Sequence, residues 1–397
     1  MKPQPIVSVV MSAYNHAPFV AHAIKSVLEQ DFRDFEFLIA DDGSNDETPN
    51  VIAAECDPRI CFFPNKRNQG AAVVTNELIR KARGHYIALI NSDDIWLPGK
   101  LSEQVRLLDQ NPNLGAVFGR AQFIDRDGNH IEKAALAFGR VFDQPNRSRG
   151  QWLRHFFERG NCLCHPTILI RKSIYERVGY YDNRLRQLPD FDMWIRAVKE
   201  SDIHVSASTM ISFRILPGEN VSSDTTTNRT RTLNEHYFVA RTFFSAISAD
   251  VLRDGFYDLL KLPHLPSPAH VDIETAMLFL RPVQSLTQVY RTVALAKLHD
   301  LLADPACETI LATDYRFDAH DLHRLSAEVN VFSPDYGADT TEGESKQKSV
   351  RALELAMTSR ISTLRLAEIL RDRLLTKFQH KYRLCRHRVV RRRSGTH

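Results

Sequence analysis

Three short polar runs in the first hundred residues hold the side chains best suited to chemistry: Ser12-Ala13-Tyr14-Asn15, Asp41-Asp42-Gly43-Ser44 and Asn91-Ser92-Asp93-Asp94. Each follows an apolar, strand-like run, so each stands where a strand ends. Asp, Asn, Ser and Gly are also ordinary turn formers and helix caps, and any one run alone has that plainer explanation. Together they read differently. Four carboxylates gathered at one edge, Asp41, Asp42, Asp93 and Asp94, would repel one another and raise their own pKa values unless a metal or cationic group relieved them.

The elements that must position these residues follow from periodicity. Ile6–Met11, Phe35–Ala40, Ile60–Phe63 and Tyr86–Ile90 read as four strands. Between the first two, Pro18–Gln30 places Phe19, Ala23, Val27 and Leu28 at helical spacing; between the third and fourth, Gly70–Ala82 does the same with Ala71, Val74, Leu78 and Ile79. Strands alternating with helices imply an α/β fold, a Rossmann-like, mainly parallel sheet flanked by helices, whose ligands bind beyond the carboxyl ends of the strands. Further on, helices are expected at Lys100–Asn111, Lys172–Val178 and Asp192–Lys199, strands within Gly115–Asp125 and at Thr167–Ile170, and an excursion loop over 131–150. Pro217–Arg231 reads as a boundary. Beyond it the pattern is mostly helical: Leu233–Ile247, Val251–Lys261, Ile273–Leu302 broken at Pro282, and a long amphipathic helix from about Lys346 to Phe378 after a polar linker. The domain division expected is 1–225, 226–335 and 345–397.

Composition bounds the function classes. The 397 residues are 43% hydrophobic and 25% charged, a globular profile with room for two or three units. The formal net charge of +4 hides an asymmetry: residues 377–397 hold eight Lys/Arg and no Asp or Glu, so the remainder is slightly acidic. No nucleic-acid partner is expected from such a body; the basic tail, interleaved with Phe378, Tyr382, Leu384 and Val389-Val390, suits an anionic membrane surface, with a merely solvated end as the next reading. The six cysteines fit neither a CxxC pattern nor a disulfide scaffold, and Cys162 and Cys164 have no partners to complete a zinc set. No run supplies the roughly 18 apolar residues of a spanning helix, and Met1–Pro5 does not resemble a secretory leader. A cytoplasmic protein, peripheral on the inner face of a membrane, is expected.

The runs VSVVMSAYN, QDFRDFEFLIADDGSNDET, KRNQGAAVVTNELIRKARGHYIALINSDD, NCLCHPTILIRKSIYERVGYYD and LPDFDMWIRAVK resemble, over about residues 5–222, the family 2 glycosyltransferases of GT-A fold. The resemblance implies transfer of a sugar from a nucleotide-diphosphate donor, a UDP-sugar by preference, to a hydroxyl of a glycan or lipid-linked acceptor in cell-surface polysaccharide synthesis, with inversion. By the same resemblance Ser12, Tyr14 and Asn15 line the base pocket and Asp41 and Asp42 hold the base edge. Arg67, Asn68 and Gly70 approach the nucleotide, and Asn91, Asp93 and Asp94 occupy the metal motif for Mn or Mg. Asp190 stands at the catalytic base, with Asp192 as the alternative. His165 borders the donor or acceptor pocket or is a buried structural imidazole. Asn76 and Gly84 shape the helix and its exit.

Three positions depart from the family pattern: Asn91 where Asp is common, Pro189 where Glu precedes the base, and Leu216 where a His often follows the Arg-containing strand. They leave open a catalytically silent domain that binds nucleotide sugars or acts as a scaffold. A nucleotidyltransferase fits less well, because no Gly-rich phosphate loop with a basic residue follows the first strand. The helical C-terminal region is expected to engage acceptor, membrane or a second copy in a homo-oligomer.

Overall fold

The computed structural model describes residues 4–218, 225–283 and 286–331. The polar linker, the long amphipathic helix and the basic tail expected beyond residue 332 lie outside them. The described strands form one sheet in the order β3-β2-β1-β4-β8-β6-β9-β5, with β7 beside β6. These are β1 Val7–Ala13, β2 Phe35–Asp41, β3 Ile60–Pro64, β4 Tyr86–Leu89, β5 Ile95–Trp96, β6 Leu114–Ile124, β7 His130–Ile131, β8 Leu169–Arg171 and β9 Asp202–Arg214. The first four are mutually parallel, with Val7 level with both Phe35 and Tyr86. Beyond β4 the sheet is mixed: β8 runs antiparallel to β4 and β6, β5 runs antiparallel to β9, and β6 and β9 are parallel. The parallel half follows from its composition, since every residue of β2 and β4 is buried and such strands need cover on both faces.

Alternation along β1 divides that cover. Val7, Val9, Met11 and Ala13 join an apolar layer with Val20, Ile24 and Val27 of α1 (Ala17–Leu28) and Leu101 and Leu108 of α4 (Lys100–Gln110). Val10 faces the opposite layer, which includes Val74, Leu78 and Ile79 of α3 (Ala71–Lys81). Between α1 and α3 the short α2 (Thr48–Ala53) leads into β3. Asn76 and Gly84 act as expected: the Asn76 amide exchanges hydrogen bonds with the backbone of Tyr181, and Gly84 lies so close to Val7 and Ser8 that a Cβ would collide with β1.

The expected excursion loop over 131–150 is only partly a loop. It contains β7 and ends in α5 (Arg149–Arg159), which opens with a Ser148/Gln151 capping box. Trp152, Leu153, Phe156 and Phe157 of α5 are buried against α7 (Pro189–Glu200), which follows the short α6 (Lys172–Val178). Trp194 of α7 is buried in the core, edge-on to Phe118 of β6.

Helices α8 (Thr226–Thr242), α9 (Ala249–Phe256), α10 (Pro268–Leu278), α11 (Thr287–Leu302), α12 (Pro305–Ile310) and α13 (Ala319–Glu328) make up the helical region. The segment expected as one helix broken at Pro282 is indeed two, α10 and α11. The aromatic layer of α5 runs on without interruption into Phe243, Phe244, Phe256, Phe279 and Tyr290. Gly150 of α5 and Gly255 of α9 permit the closest approach, because a Cβ on either would strike the other's backbone.

Candidate active site

Parallel strands end at the same edge, so the segments after β1, β2, β3 and β4 are neighbours. Hydrogen bonds stitch them together. Asn15, at a left-handed φ of 50° that Asn tolerates, accepts from Asn45 N–H through Oδ1 at 2.8 Å and donates its own N–H to Ser44 Oγ at 2.9 Å. His16 gives its N–H to Thr48 Oγ1 at 2.8 Å, and its Nδ1 lies 2.8 Å from Ser92 Oγ, joining the first segment to the last. Gly43, at φ +72°, lets the Arg67-Asn68 backbone pack directly against it.

The structure places the expected nucleotide residues on this edge. Ser12 is half-buried at the end of β1, and the Tyr14 ring is 38% exposed, open to a stacking partner rather than packed in the core. Asp41 is buried and accepts from the Ser44 N–H at 3.0 Å and hydroxyl at 2.5 Å. Asp42, also buried, accepts from Gln69 N–H at 2.8 Å and Gly70 N–H at 2.9 Å, fixing the start of α3. Both carboxylates therefore shape loops, while each oxygen keeps a further lone pair. Arg67 and Asn68 are exposed, and Gly70 adopts φ +97° with open space where a Cβ would stand.

The segment after β4 is organised by Arg214, the last residue of β9. Its backbone N–H donates to Asp94 Oδ1 at 2.8 Å and its Nε to the Asp93 carbonyl at 2.8 Å; Nη1 reaches the carbonyls of Asp125 and Arg126, and the guanidinium lies 4.8 Å from the Phe19 ring centre. Asn91 Nδ2 donates to Asp94 Oδ2 at 2.9 Å. Each Asp94 oxygen thus accepts one bond from the loop and keeps a further lone pair, so Asp93 and Asp94 both stay in the candidate cation segment. Among the described residues no three His, Cys, Asp or Glu side chains converge as a metal cage, and Leu216 is buried. Such a segment suits the way Mg binds, through one or two carboxylates and the oxygens of a substrate phosphate.

The two acidic residues of α7 have different surroundings. Asp192 Oδ2 accepts from Arg196 Nε at 2.9 Å and Nη2 at 2.8 Å, and the same guanidinium bonds the carbonyls of Val178, Gly179 and Tyr180. Asp190 faces no cation among the described residues. Its Oδ2 accepts from Asn161 Nδ2 at 2.7 Å and its Oδ1 from Phe191 N–H at 2.8 Å. Burial raises its carboxyl to about 6, and these two donors, which favour the charged form, keep it from rising further. That is a range useful to a general base near neutral pH.

His165 is half-buried, with its ring 5.9 Å from Trp194 and Nε2 3.2 Å from the Tyr181 hydroxyl. Desolvation pushes it down to about 4, so it is a neutral imidazole. Cys162 is buried, with its thiol pushed up to about 12 by burial.

Sequence reasoning missed Asn161 and Glu235, and read Arg214 only as part of the strand pattern that ends at Leu216. Glu235, from α8, is buried and accepts from the N–H groups of Arg186, Gln187 and Leu188 at 2.9, 2.7 and 2.9 Å, fixing the turn that leads into α7. Its partners are backbone groups 47 to 49 residues away, which leave no trace in residue type.

The family model described as Glycosyl transferase family 2 matches residues 8–179. A Bacillus subtilis protein provisionally named glycosyltransferase EpsE is 30% identical over 205 residues, 50% of this chain and 69% of that one. The provisionally named colanic acid biosynthesis glycosyl transferase WcaA of Escherichia coli K12 is 28% identical over 202 residues, 50% and 68% of the two chains. Among solved structures, residues 1–349 of S. aureus TarS in complex with UDP-GlcNAc superpose with a TM-score of 0.51 at 17% identity, covering 81% of this chain and 87% of that one; this likeness is one of fold. With the parallel sheet edge, the Asp-rich segments and the acidic start of α7 all in the order that the family model spans or adjoins, the chain belongs to glycosyl transferase family 2.

Proposed function

We propose that this glycosyltransferase moves a sugar from a UDP-sugar to an acceptor hydroxyl with inversion, in the synthesis of a cell-surface polysaccharide. The observation that carries the reading is Asp190: a carboxylate with no cation beside it among the described residues, raised to about 6 and oriented by Asn161. Asp190 takes the proton of the acceptor hydroxyl as that oxygen attacks C1; the bond from C1 to the diphosphate oxygen breaks from the opposite face, and the electron pair leaves with the diphosphate. Single displacement inverts the anomeric centre. Tyr14 offers the base a stacking face, Ser12 and Asn15 stand beside it, and the carboxylates of Asp41 and Asp42 suit an acceptor role toward a pyrimidine N–H.

A Mn or Mg ion held by Asp93, with Asn91 and Asp94 behind it, would neutralise charge on the departing diphosphate. The relative WcaA, by its name, supports a place in polysaccharide synthesis. The eight cations of residues 377–397 support attachment to an anionic membrane on its cytoplasmic face.

The test is a panel of nucleotide sugars with Mn or Mg, following release of free nucleoside diphosphate. Turnover of a UDP-sugar with an inverted product supports the reading. No turnover of any donor with any acceptor overturns it in favour of a silent nucleotide-sugar-binding module. Deletion after Thr376 is expected to reduce binding to anionic vesicles in a salt-sensitive way.

A further inference from the structure

Between the turn that precedes α7 and the first turns of α8 lies an open cleft of about 570 Å³, lined by none of the residues of the nucleotide edge. Three arginines line it, Arg184, Arg186 and Arg231, together with the ring of Phe238, which is 52% exposed. Not all of that charge is available. Arg184 is held bidentately by Asp182 at 2.8 and 2.7 Å. Glu235 also lines the cleft; its carboxylate accepts from three backbone N–H groups, and its negative charge offsets one of the guanidinium groups. What remains is Arg186, exposed and without an ion pair among the described residues, and Arg231, which donates to the neutral Asn228 Oδ1 at 2.8 Å. Two guanidinium forks without a side-chain ion pair among the described residues, against one carboxylate, match the oxygens of a phosphate, and a bare aromatic ring offers an apolar face to a sugar or hydrocarbon chain.

The cleft's position connects it to the reaction. Arg186 precedes Asp190 in the same turn, and the Glu235 bonds that fix the backbone of 186–188 also fix the entrance to α7. A group held by Arg186 is thereby tied rigidly to the helix that carries the base. We infer that this cleft is an acceptor subsite, taking a phosphate or diphosphate group carried by the acceptor near its reacting hydroxyl. The inference rests on the assignment of Asp190 as base.

The experiment uses the full chain saturated with UDP, so that the nucleotide edge is filled. Inorganic pyrophosphate and, separately, farnesyl diphosphate are titrated by calorimetry. One pyrophosphate site is expected, weakened at least tenfold in Arg186→Ala/Arg231→Ala and partly recovered in the corresponding double Lys variant, which keeps the charge but not the fork. Farnesyl diphosphate binding more tightly than pyrophosphate identifies a lipid-linked source of the group; equal affinity identifies the phosphate itself, as on a phosphorylated glycan. Absence of a pyrophosphate site, unchanged affinity in the double Ala variant, or preference for glucuronate over pyrophosphate overturns the inference. Because the titration needs no sugar transfer, its failure is distinct from that of the donor panel. If no donor turns over, the role of Asp190 falls whatever pyrophosphate does; if donors turn over and the arginine variants bind as wild type, the cleft assignment alone falls.

Discussion

The Asn161 side-chain amide donates to Asp190 Oδ2 at 2.7 Å, tying the residue two positions beyond the end of α5 to the carboxylate at the start of α7. The bond favours the ionised form of a carboxyl that burial pushes the other way. Asp190→Asn is therefore expected to lower transfer by about 10²- to 10⁴-fold, the usual worth of a general base, with donor affinity nearly intact. A fully active variant would remove Asp190 from the role.

The pH profile carries the sign of the same argument. With its folded pKa near 6, Asp190 is deprotonated above that pH, and activity should fall as pH drops through it. Asn161→Ala removes a donor to the charged form, so the acid limb should move to higher pH. Folding stability runs oppositely: a carboxyl raised above its unfolded value contributes stability at low pH that is lost as pH rises through about 6. Asp190→Asn should then stabilise the fold at pH 8 by about 1 kcal/mol, discounted for partial solvent exposure. Thermal unfolding of both proteins at pH 5 and pH 8 measures it, and a lower melting temperature for the variant at pH 8 would contradict the burial argument.

Asp192 is bound to Arg196, which also holds three carbonyls of the turn after α6. Asp192→Asn should leave transfer within a few-fold of wild type. Arg196→Ala should cost about 1–3 kcal/mol of stability by leaving those carbonyls unsatisfied. A loss of turnover in Asp192→Asn equal to that of Asp190→Asn would move the base to Asp192.

Asn91→Asp would set a second carboxylate against Asp94, where an amide now donates at 2.9 Å. Two like charges in contact are expected to lower the melting temperature, at a cost of about 1–2 kcal/mol, and millimolar Mn should restore part of it. If unfolding is unchanged from wild type and indifferent to Mn, the segment does not respond to charge as described.

Gly150→Ala and Gly255→Ala each introduce a methyl where the other helix's backbone lies. Overpacking of this kind is expected to cost about 1–3 kcal/mol, read as a shift in the midpoint of urea unfolding. Wild-type stability in both variants would show that the helical region is not seated on α5 as tightly as the close approach indicates.

The alternation of apolar runs and helical spacing was enough to place β1 to β4 and α1, α3 and α4, because those elements satisfy local periodicity and a sheet buried on both faces. It also placed the polar segments after β1, β2 and β4 at one edge, since parallel strands leave no other arrangement. Helix α5 was legible in principle through Ser148, Gln151 and the spacing of Trp152, Leu153, Phe156 and Phe157, and was obscured by the polar stretch before it. The choice between Asp190 and Asp192 could not be made from residue type, because both are aspartates in the first turns of one helix. Tertiary packing gives the two different surroundings: Arg196 captures one carboxylate, while burial raises the other against the bond that Asn161 donates to it. The sharing of Asp94 with Arg214, 120 residues away, and the seating of Glu235 beneath the turn at 186–188 were likewise decided only by the fold, since a hydrogen bond to a distant backbone group depends on where that group arrives in space and not on the sequence around either partner.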